Sequence, residues 1–224
     1  MKIIVTGAKG QLGSDVVLQL EKNGNIAVKA DLPELDITDT AAVESFIAES
    51  QADGVIHCAA YTNVDTAESE NEICRKVNYN GTLNIAESCK KHGIKLLYIS
   101  TDYVFSGEGN EPFETDSPNF PCNYYGESKL AGENAVKEIC NKYFIVRISW
   151  VFGSNGKNFV KTVRRVMRER GAMRVVNDQR GNPTNANDLA YHLLLIGDTE
   201  NYGIYHCTGS GECTWYDFAC RIVE

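Results

Sequence analysis

Three glycines near the N-terminus, spaced three residues apart, constrain the fold more than any other feature of this chain. Gly7, Gly10 and Gly13 lie between a short apolar segment and an amphipathic one. Such a run is typical of a strand that turns directly into a helix, because glycine lets backbone N–H groups approach a phosphate at the helix N-terminus. The sequence therefore predicts a dinucleotide-binding loop, in which Gln11 and Leu12 begin the helix.

The rest of the chain continues this alternation of strands and helices. Strands are predicted at 2–6, 26–30, 54–58, 95–100, 144–149 and 203–207. Helices are predicted at 11–22, 39–50, 70–92, 124–142, 158–170 and 186–197. This alternation is typical of an α/β fold with a doubly wound parallel sheet, the Rossmann arrangement.

The predicted elements divide the chain into two unequal parts. We expect an NAD(P)-binding domain over 1–150 and a smaller substrate-binding region over 151–224, interleaved with the last strands of the sheet. A capping box at Thr214 predicts a final helix. That helix stops in mid-course at Glu224, and we therefore expect a truncated substrate-binding region.

The charge of the chain argues against two classes of partner. The formal net charge is −8, whereas nucleic acids and anionic membranes select basic surfaces. Met1 and Lys2 lead straight into a strand, and no apolar run approaches the length of a membrane span. We expect a cytoplasmic protein that binds neither nucleic acid nor membrane, and that meets an anionic ligand through helix N-termini or a few placed side chains.

The cysteines do not point to a metal or a disulfide framework. The eight cysteines contain no Cys-x-x-Cys pair, and without a secretion signal we expect them to be reduced. His206, Cys207 and Cys213 come nearest to a metal-binding group, but their spacing fits no zinc template. We expect no metal site.

A tyrosine and a lysine four residues apart form the second motif. Tyr125 and Lys129 lie in a segment with helical spacing, so both project from one face about one turn apart. A free tyrosine has a pKa of about 10, and a neighbouring ammonium lowers that pKa. The pair is therefore a candidate general acid for reduction of a carbonyl group. The polar segment 106–121 precedes this helix, and we expect it to border the substrate.

Asp31 and two lysines bear on the choice of cofactor. Asp31 follows the second predicted strand about twenty residues after the glycine loop, where a carboxylate accepts the ribose hydroxyls of NAD. Lys9 and Lys29 favour the other cofactor, because a cation there pairs with the 2′-phosphate of NADP. The residues leave both NADH and NADPH open.

The glycine loop and the Tyr-x-x-x-Lys pair resemble those of the extended short-chain dehydrogenase/reductases, over essentially the whole chain. Further segments resemble the dTDP-4-dehydrorhamnose reductases of that family: CAAYTNVD at 58–65, STDYVF at 100–105, RISW at 147–150, NDQ at 177–179 and PT at 183–184. The resemblance implies reduction of the C4 keto group of dTDP-4-dehydro-6-deoxy-L-mannose to dTDP-L-rhamnose by NADPH or NADH, for cell-surface polysaccharide. It also allows a homodimer.

The same resemblance implies a set of site residues. The implied catalytic residues are Tyr125 as proton donor, Lys129, which lowers the tyrosine pKa and holds the nicotinamide ribose, and Thr101, which orients the carbonyl. The implied cofactor-binding residues are Gly7, Gly10, Gln11, Leu12, Gly13, Asp31, Asp36, Ile37, Ala59, Ala60, Tyr61, Tyr125 and Lys129. The implied substrate-binding residues are Thr62, Val64, Thr101, Asp102, Tyr103 and Trp150.

Two residues outside this set, Asn78 and Arg147, are interpreted as well, and Asp36 within it has a second expected role. Asn78 either holds active-site backbone, as the resemblance implies, or caps a helix that begins at Tyr79. Asp36 is also expected to begin the second helix. Arg147 is expected to serve in packing and ion pairing rather than in the pocket.

Tyr103 bears on the type of reaction. Related sugar-nucleotide dehydratases carry Thr-Asp-Glu, whose glutamate acts as the base that removes water, and Tyr103 stands in its place here. Simple reduction is therefore favoured. Two alternatives stay open: a non-catalytic nucleotide-binding regulatory subunit, which would resemble the β subunit of methionine adenosyltransferase, and a related nucleotide-sugar epimerase or dehydratase.

Overall fold

The computed structural model describes all 224 residues of the chain. Its strands are β1 (Lys2–Thr6), β2 (Ile26–Ala30), β3 (Gly54–His57), β4 (Lys95–Thr101), β5 (Tyr143–Ile148), β6 (Val151–Phe152), β7 (Arg180–Gly181), β8 (Thr184–Asn185), β9 (Gly203–His206) and β10 (Cys213–Thr214). Its α-helices are α1 (Gln11–Lys22), α2 (Thr40–Ser50), α3 (Val64–Ala67), α4 (Asn71–Arg75), α5 (Thr82–His92), α6 (Tyr124–Ile139), α7 (Phe159–Arg170), α8 (Ala186–Gly197) and α9 (Trp215–Val223).

Six of these strands form one parallel sheet in the order β2-β1-β3-β4-β5-β9. The chain moves outward from β1 to β2 and then crosses to β3, so the direction of winding reverses between β1 and β3. In open α/β sheets, ligands bind beside such a reversal, at the carboxyl ends of the strands. The predicted doubly wound sheet is confirmed, and so are all six predicted strands, to within one residue at each end.

Two apolar cores lie on opposite faces of the sheet and explain why these segments pack as they do. Successive side chains of a strand point to opposite faces, so Ile4 and Val5 of β1 enter different cores. Val5 packs with the apolar sides of α1 and α8, whereas Ile4 packs with those of α2, α5 and α6. Both residues are fully buried.

The predicted helix 70–92 is wrong in one respect, because the structure interrupts it. A π-helical turn, Lys76–Gly81, joins α4 to α5, and Asn78 lies inside that turn. Turns of this kind occur frequently at functional sites. Asn78 therefore does not cap a helix at Tyr79.

Smaller differences concern the ends of two helices. The second helix begins at Thr40, after Asp39 accepts a hydrogen bond from the Ala42 N–H, so Asp36 lies in a turn before the helix rather than at its start. Helix α6 ends at Ile139, not at residue 142. The capping box at Thr214 is present and begins α9.

The elements after residue 150 belong to two packing units. Strand β9 forms an edge of the main sheet, and α8 packs against α1. Two small sheets, β6-β8 and β7-β10, lie with α7 and α9 around an aromatic cluster of Trp150, Phe152, Phe159, Trp215 and Phe218. None of the helices combines the length and apolar character needed to cross a membrane.

Candidate active site

A cavity of about 640 Å³ opens along the carboxyl ends of the central strands, where the winding of the sheet reverses. It brings together every residue that the sequence assigns to the site except Tyr61. These lining residues are Gly7, Gly10, Gln11, Leu12, Gly13, Asp31, Asp36, Ile37, Ala59, Ala60, Thr62, Val64, Thr101, Asp102, Tyr103, Tyr125, Lys129 and Trp150.

The glycine loop forms a tight turn between β1 and α1. Gly7 has a φ of +64°, and its carbonyl accepts a hydrogen bond of 2.9 Å from the Gly10 N–H. A Cβ at Gly13 would lie 2.1 Å from that same carbonyl oxygen, and one at Gly7 would lie 2.8 Å from the Ala59 nitrogen. Because no side chain fits at either position, the loop leaves the N-terminus of α1 open, and that end of a helix favours a phosphate.

Asp31 lies directly beside this loop. Its carboxylate accepts hydrogen bonds from the backbone N–H groups of Lys9, at 2.9 Å, and Leu32, at 2.8 Å. The Lys9 ammonium is bound to the Glu34 carboxylate at 2.8 Å and to the Leu32 carbonyl at 2.7 Å. Asp31 therefore lies beside the glycine loop, as predicted, and the charge of Lys9 already has a carboxylate partner.

The segment after β3 is held in place by Asn78. The Asn78 side chain accepts from the Tyr61 N–H at 2.8 Å and donates to the Tyr61 carbonyl at 3.0 Å and to Ser128 Oγ at 2.9 Å. Asn78 thus holds backbone next to the cavity, as the resemblance implied. Tyr61 itself does not line the cavity, because its hydroxyl points outward and donates to Glu70 at 2.7 Å.

Helix α6 places Tyr125 in its first turn and Lys129 in its second. Asn123 caps this helix by accepting from the Gly126 N–H at 2.8 Å. A Cβ at Gly126 would lie 2.2 Å from the Tyr103 carbonyl oxygen, so glycine allows the helix to approach the end of β4. As a result the Tyr125 ring meets the Tyr103 ring edge-on at a centroid distance of 5.7 Å.

The electrostatics of this pair differ from the expectation. Desolvation raises the pKa of Tyr125 well above its ordinary value, and the Thr101 hydroxyl opposes that shift. Lys129 is buried, donates to the Ile99 carbonyl at 2.7 Å and lies 4.1 Å above the Tyr98 ring. Desolvation lowers the pKa of Lys129 to about 7. Burial therefore dominates the pKa of both groups in this structure, and the lowering of the tyrosine pKa by Lys129 stays a prediction.

Asp102 stands next to Thr101 at the end of β4. Its carboxylate accepts a hydrogen bond of 3.1 Å from the Thr101 hydroxyl. Desolvation raises the pKa of Asp102 to about 6, although that hydrogen bond acts in the opposite direction. A second protonatable group with a pKa close to neutrality thus lies beside Thr101 and Tyr125 in the same cavity.

Trp150 lines the cavity in an unusual backbone conformation. Its φ of +44° lies in the left-handed region, which is uncommon for a bulky residue. Its indole is stacked on Trp215 at a centroid distance of 3.6 Å, and a Cβ at Gly181 would lie 2.5 Å from the ring. One face of Trp150 is therefore already stacked on a tryptophan. Trp215 could not be assigned to the site from the sequence, because nothing in its local pattern indicates this contact.

Arg147 and Glu133 form a buried ion pair behind the cavity, which confirms the expected role of Arg147. The guanidinium binds both carboxylate oxygens, at 2.9 and 2.8 Å, and Ser100 Oγ donates to the same carboxylate at 2.6 Å. The guanidinium also donates to the Thr115 carbonyl at 3.1 Å and to the Asn119 side chain at 3.4 Å. The pair therefore links β4, β5 and α6 to the polar segment 106–121.

Other lining residues were missed by the sequence analysis. They are mostly apolar residues and small polar ones: Ala30, Leu32, Leu35, Thr38, Cys58, Val77, Ile99, Ser100, Ile148, Ser149, Val151 and Lys157. Desolvation raises the pKa of the Cys58 thiol to about 12, so this cysteine is protonated at neutral pH. All eight cysteines are free thiols, and no three His, Cys, Asp or Glu side chains meet in a group that could hold a metal ion.

The lowered pKa of Lys129 predicts how stability depends on pH. Between the folded pKa of about 7 and the ordinary value near 10.5, the unfolded chain binds a proton that the folded protein does not. Stability from this group therefore rises with pH across that window. Lys129→Met has no titrating group at this position and does not gain this stability. We therefore expect its free energy of unfolding, relative to that of the wild type, to fall as the pH rises. Urea unfolding at several pH values measures this, and a difference that does not vary with pH would contradict it.

Comparison with known proteins gives a consistent result over the whole chain. The family model described as RmlD substrate binding domain matches residues 1–224. The dTDP-4-dehydrorhamnose reductase of Streptomyces griseus is 42% identical over 218 residues, which cover 95% of this chain and 72% of that protein. The reductase of the same name from Aggregatibacter actinomycetemcomitans is 40% identical. The similarity covers 100% of this chain and 78% of that protein.

Solved structures are similar as well. The crystal structure of a dTDP-4-dehydrorhamnose reductase from Bacillus anthracis in complex with NADP has a TM-score of 0.96 and 43% sequence identity. The similarity covers 99% of this chain and 79% of that one.

Proposed function

The chain belongs to the RmlD substrate binding domain family, and from this premise we propose that it reduces the C4 keto group of dTDP-4-dehydro-6-deoxy-L-mannose to dTDP-L-rhamnose. The observation that carries the proposal is a single cavity that holds both a glycine loop and the triad of Thr101, Tyr125 and Lys129. Relatives named for this reaction are about 40% identical over the full chain, which supports the same substrate class.

The residues of the cavity fit NADPH or NADH. The turn in which a Cβ at Gly13 would meet the Gly7 carbonyl leaves the start of α1 open for a pyrophosphate, and Asp31 beside it suits ribose hydroxyls. We propose that both reduced cofactors serve, since the Lys9 ammonium that would favour a 2′-phosphate is paired with Glu34. When bound, the reduced nicotinamide supplies a hydride to the carbonyl carbon.

The protein's own residues then handle the proton and the charge. Tyr125 donates its hydroxyl proton to the oxygen that becomes the C4 hydroxyl. On substrate binding the Thr101 hydroxyl would turn its proton from the Asp102 carboxylate to the same oxygen, so that two donors meet the developing negative charge. Lys129, one turn further along α6, would hold the nicotinamide ribose.

Tyr103 supports reduction over elimination. It lines the cavity at the position where the related dehydratases carry their glutamate base. A phenol at this position has its pKa raised by desolvation, so it is a poor base at neutral pH. We also propose that the protein acts in the cytoplasm. We further propose that it assembles as a homodimer, and light scattering of the purified protein tests the dimer.

Turnover measurements test the proposed function. The purified protein is incubated with dTDP-4-dehydro-6-deoxy-L-mannose and either NADPH or NADH. We expect the absorbance of the reduced nicotinamide to fall and the mass of the sugar product to rise by two hydrogens. A product that has lost water would identify a dehydratase, and a product of unchanged mass an epimerase. Binding of the cofactor without any conversion would favour a regulatory subunit.

A further inference from the structure

We infer that Lys157 is a cofactor-binding residue that pairs with the pyrophosphate of NADPH or NADH. This inference rests on the proposed function. Lys157 follows the glycine loop by more than 140 residues in the sequence. It lies in the segment 153–158, between β6 and α7. It lines the same cavity as the loop.

The segment 153–158 is fastened to the first residue of α1. Asn158 Nδ2 donates to Gln11 Oε1 at 2.8 Å and to the Gly153 carbonyl at 2.9 Å, and Gln11 Nε2 donates to the Val151 carbonyl at 2.9 Å. Gly156 approaches so closely that an added Cβ would lie 3.1 Å from the Gln11 Cβ. The backbone that carries Lys157 therefore packs directly on the helix end where a phosphate binds.

A second lysine stiffens this segment. The Lys161 ammonium donates to the Ser154 carbonyl at 2.7 Å and to the Gly156 carbonyl at 2.8 Å, so its charge is used to order the turn. Gly156 has a φ of +67°, which a residue with a Cβ rarely adopts. A turn built in this way holds the position of Lys157 instead of leaving it on a loose loop.

The distribution of charge around the cavity gives Lys157 its role. Lys157 and Lys129 are the two lysines that line it, and the buried Lys129 side chain donates its hydrogen bond to the Ile99 carbonyl. The Lys9 ammonium, on the glycine loop, is bound to Glu34. Lys157 is exposed and its ammonium forms no hydrogen bond or ion pair within the protein.

An anionic ligand needs such a cation here. The chain carries a formal net charge of −8, and three carboxylates line the cavity, those of Asp31, Asp36 and Asp102. The N-terminus of a helix supplies only about half a positive charge, whereas a pyrophosphate carries two negative ones. An ammonium placed at that helix end offsets most of the remaining charge.

The proposed nucleotide-sugar substrate also contains a pyrophosphate, so two ligands share the chemistry that Lys157 recognises. The contacts of its segment with Gln11, at the start of α1, favour the pyrophosphate of the cofactor. Titrations with NADPH alone and with dTDP alone distinguish the two sources.

Calorimetric titration of variants tests the inference. We expect Lys157→Gln to weaken NADPH binding by about tenfold or more, since the hydrogen bond to a charged group is lost, and to leave dTDP binding unchanged. Lys157→Arg should retain most of the affinity. ADP-ribose should show the same loss as NADPH and adenosine should not, because adenosine lacks the pyrophosphate. Lys137→Gln is the matched control, because Lys137 is an exposed lysine on α6 outside the cavity.

Several outcomes would overturn the inference. Equal NADPH affinity in Lys157→Gln and the wild type would do so while leaving the proposed function intact. A loss of affinity for dTDP alone, with NADPH affinity unchanged, would assign Lys157 to the binding of the substrate instead. A wild type that binds neither NADPH nor NADH would overturn the proposed function together with the inference. Thermal unfolding of each variant shows whether the exposed substitutions leave the fold unchanged.

Discussion

Replacement of Tyr125 by phenylalanine should reduce turnover by about a hundredfold or more while leaving cofactor affinity unchanged. The substitution removes only the hydroxyl, and positioned general acids typically contribute at least this factor. The ring remains and can keep its edge-on contact with Tyr103 at 5.7 Å, so the fold of the first turn of α6 should persist. Steady-state kinetics with the dTDP-linked ketosugar, combined with NADPH titration, measures both effects.

Tyr191→Phe is a suitable control for this experiment. Tyr191 is exposed on α8 and does not line the cavity, so its hydroxyl should have no effect on turnover. Residual turnover of Tyr125→Phe within a few-fold of the wild type would show that another group supplies the proton. Asp102 would then be the first candidate, because its pKa is raised to about 6 and it lies beside Thr101.

Burial shifts the pKa of both members of the Tyr125 and Lys129 pair. Tyr125 carries the proton that a ketone reduction consumes, as any tyrosine does at neutral pH, and burial acts against its release. Lys129, with its pKa lowered to about 7, is directed at the Ile99 carbonyl and the Tyr98 ring rather than at the phenol. In this structure the Lys129 ammonium therefore binds the backbone of β4.

Most of the fold could be predicted from the sequence because its signals are local. Each strand is a short apolar run, and each helix has apolar residues at helical spacing, so neither depends on a distant partner. The order of these elements then leaves few ways to wind a parallel sheet. The glycine loop and Asp31 were found for the same reason, since the distance between them reflects one strand and one helix.

The features that the sequence did not reveal depend on tertiary contacts. The stacking of Trp215 on Trp150 joins residues 65 positions apart, and the approach of Lys157 to the glycine loop depends on Asn158 reaching Gln11. The π-helical turn around Asn78 keeps an almost helical pattern of apolar residues, so periodicity alone does not show it. The outward direction of Tyr61 follows from Asn78 holding its backbone on one side and Glu70 binding its hydroxyl on the other.

Replacement of Arg147 by methionine should cost about 3–5 kcal/mol of the free energy of unfolding, because it leaves the buried Glu133 carboxylate without its partner. The two side chains are 2% and 0% exposed, so water cannot replace the lost guanidinium. The substitution also removes the bonds to Thr115 and Asn119, and we expect the segment 106–121 to be cleaved faster in limited proteolysis. Urea unfolding measures the first effect.

A second ion pair in the same chain provides the control that decides the interpretation. Arg165 pairs with Glu169 across one turn of α7 at 2.9 Å, but both side chains are more than half exposed, so Arg165→Met should cost less than about 1 kcal/mol. Adding Glu133→Gln to Arg147→Met removes the unpaired charge and should recover part of the loss, since the amide can still accept from Ser100. If Arg147→Met cost no more than Arg165→Met, the buried pair would not be what holds β4, β5 and α6 around the cavity. If the double variant recovered nothing, the cost would come from lost packing against Phe105 rather than from the isolated charge.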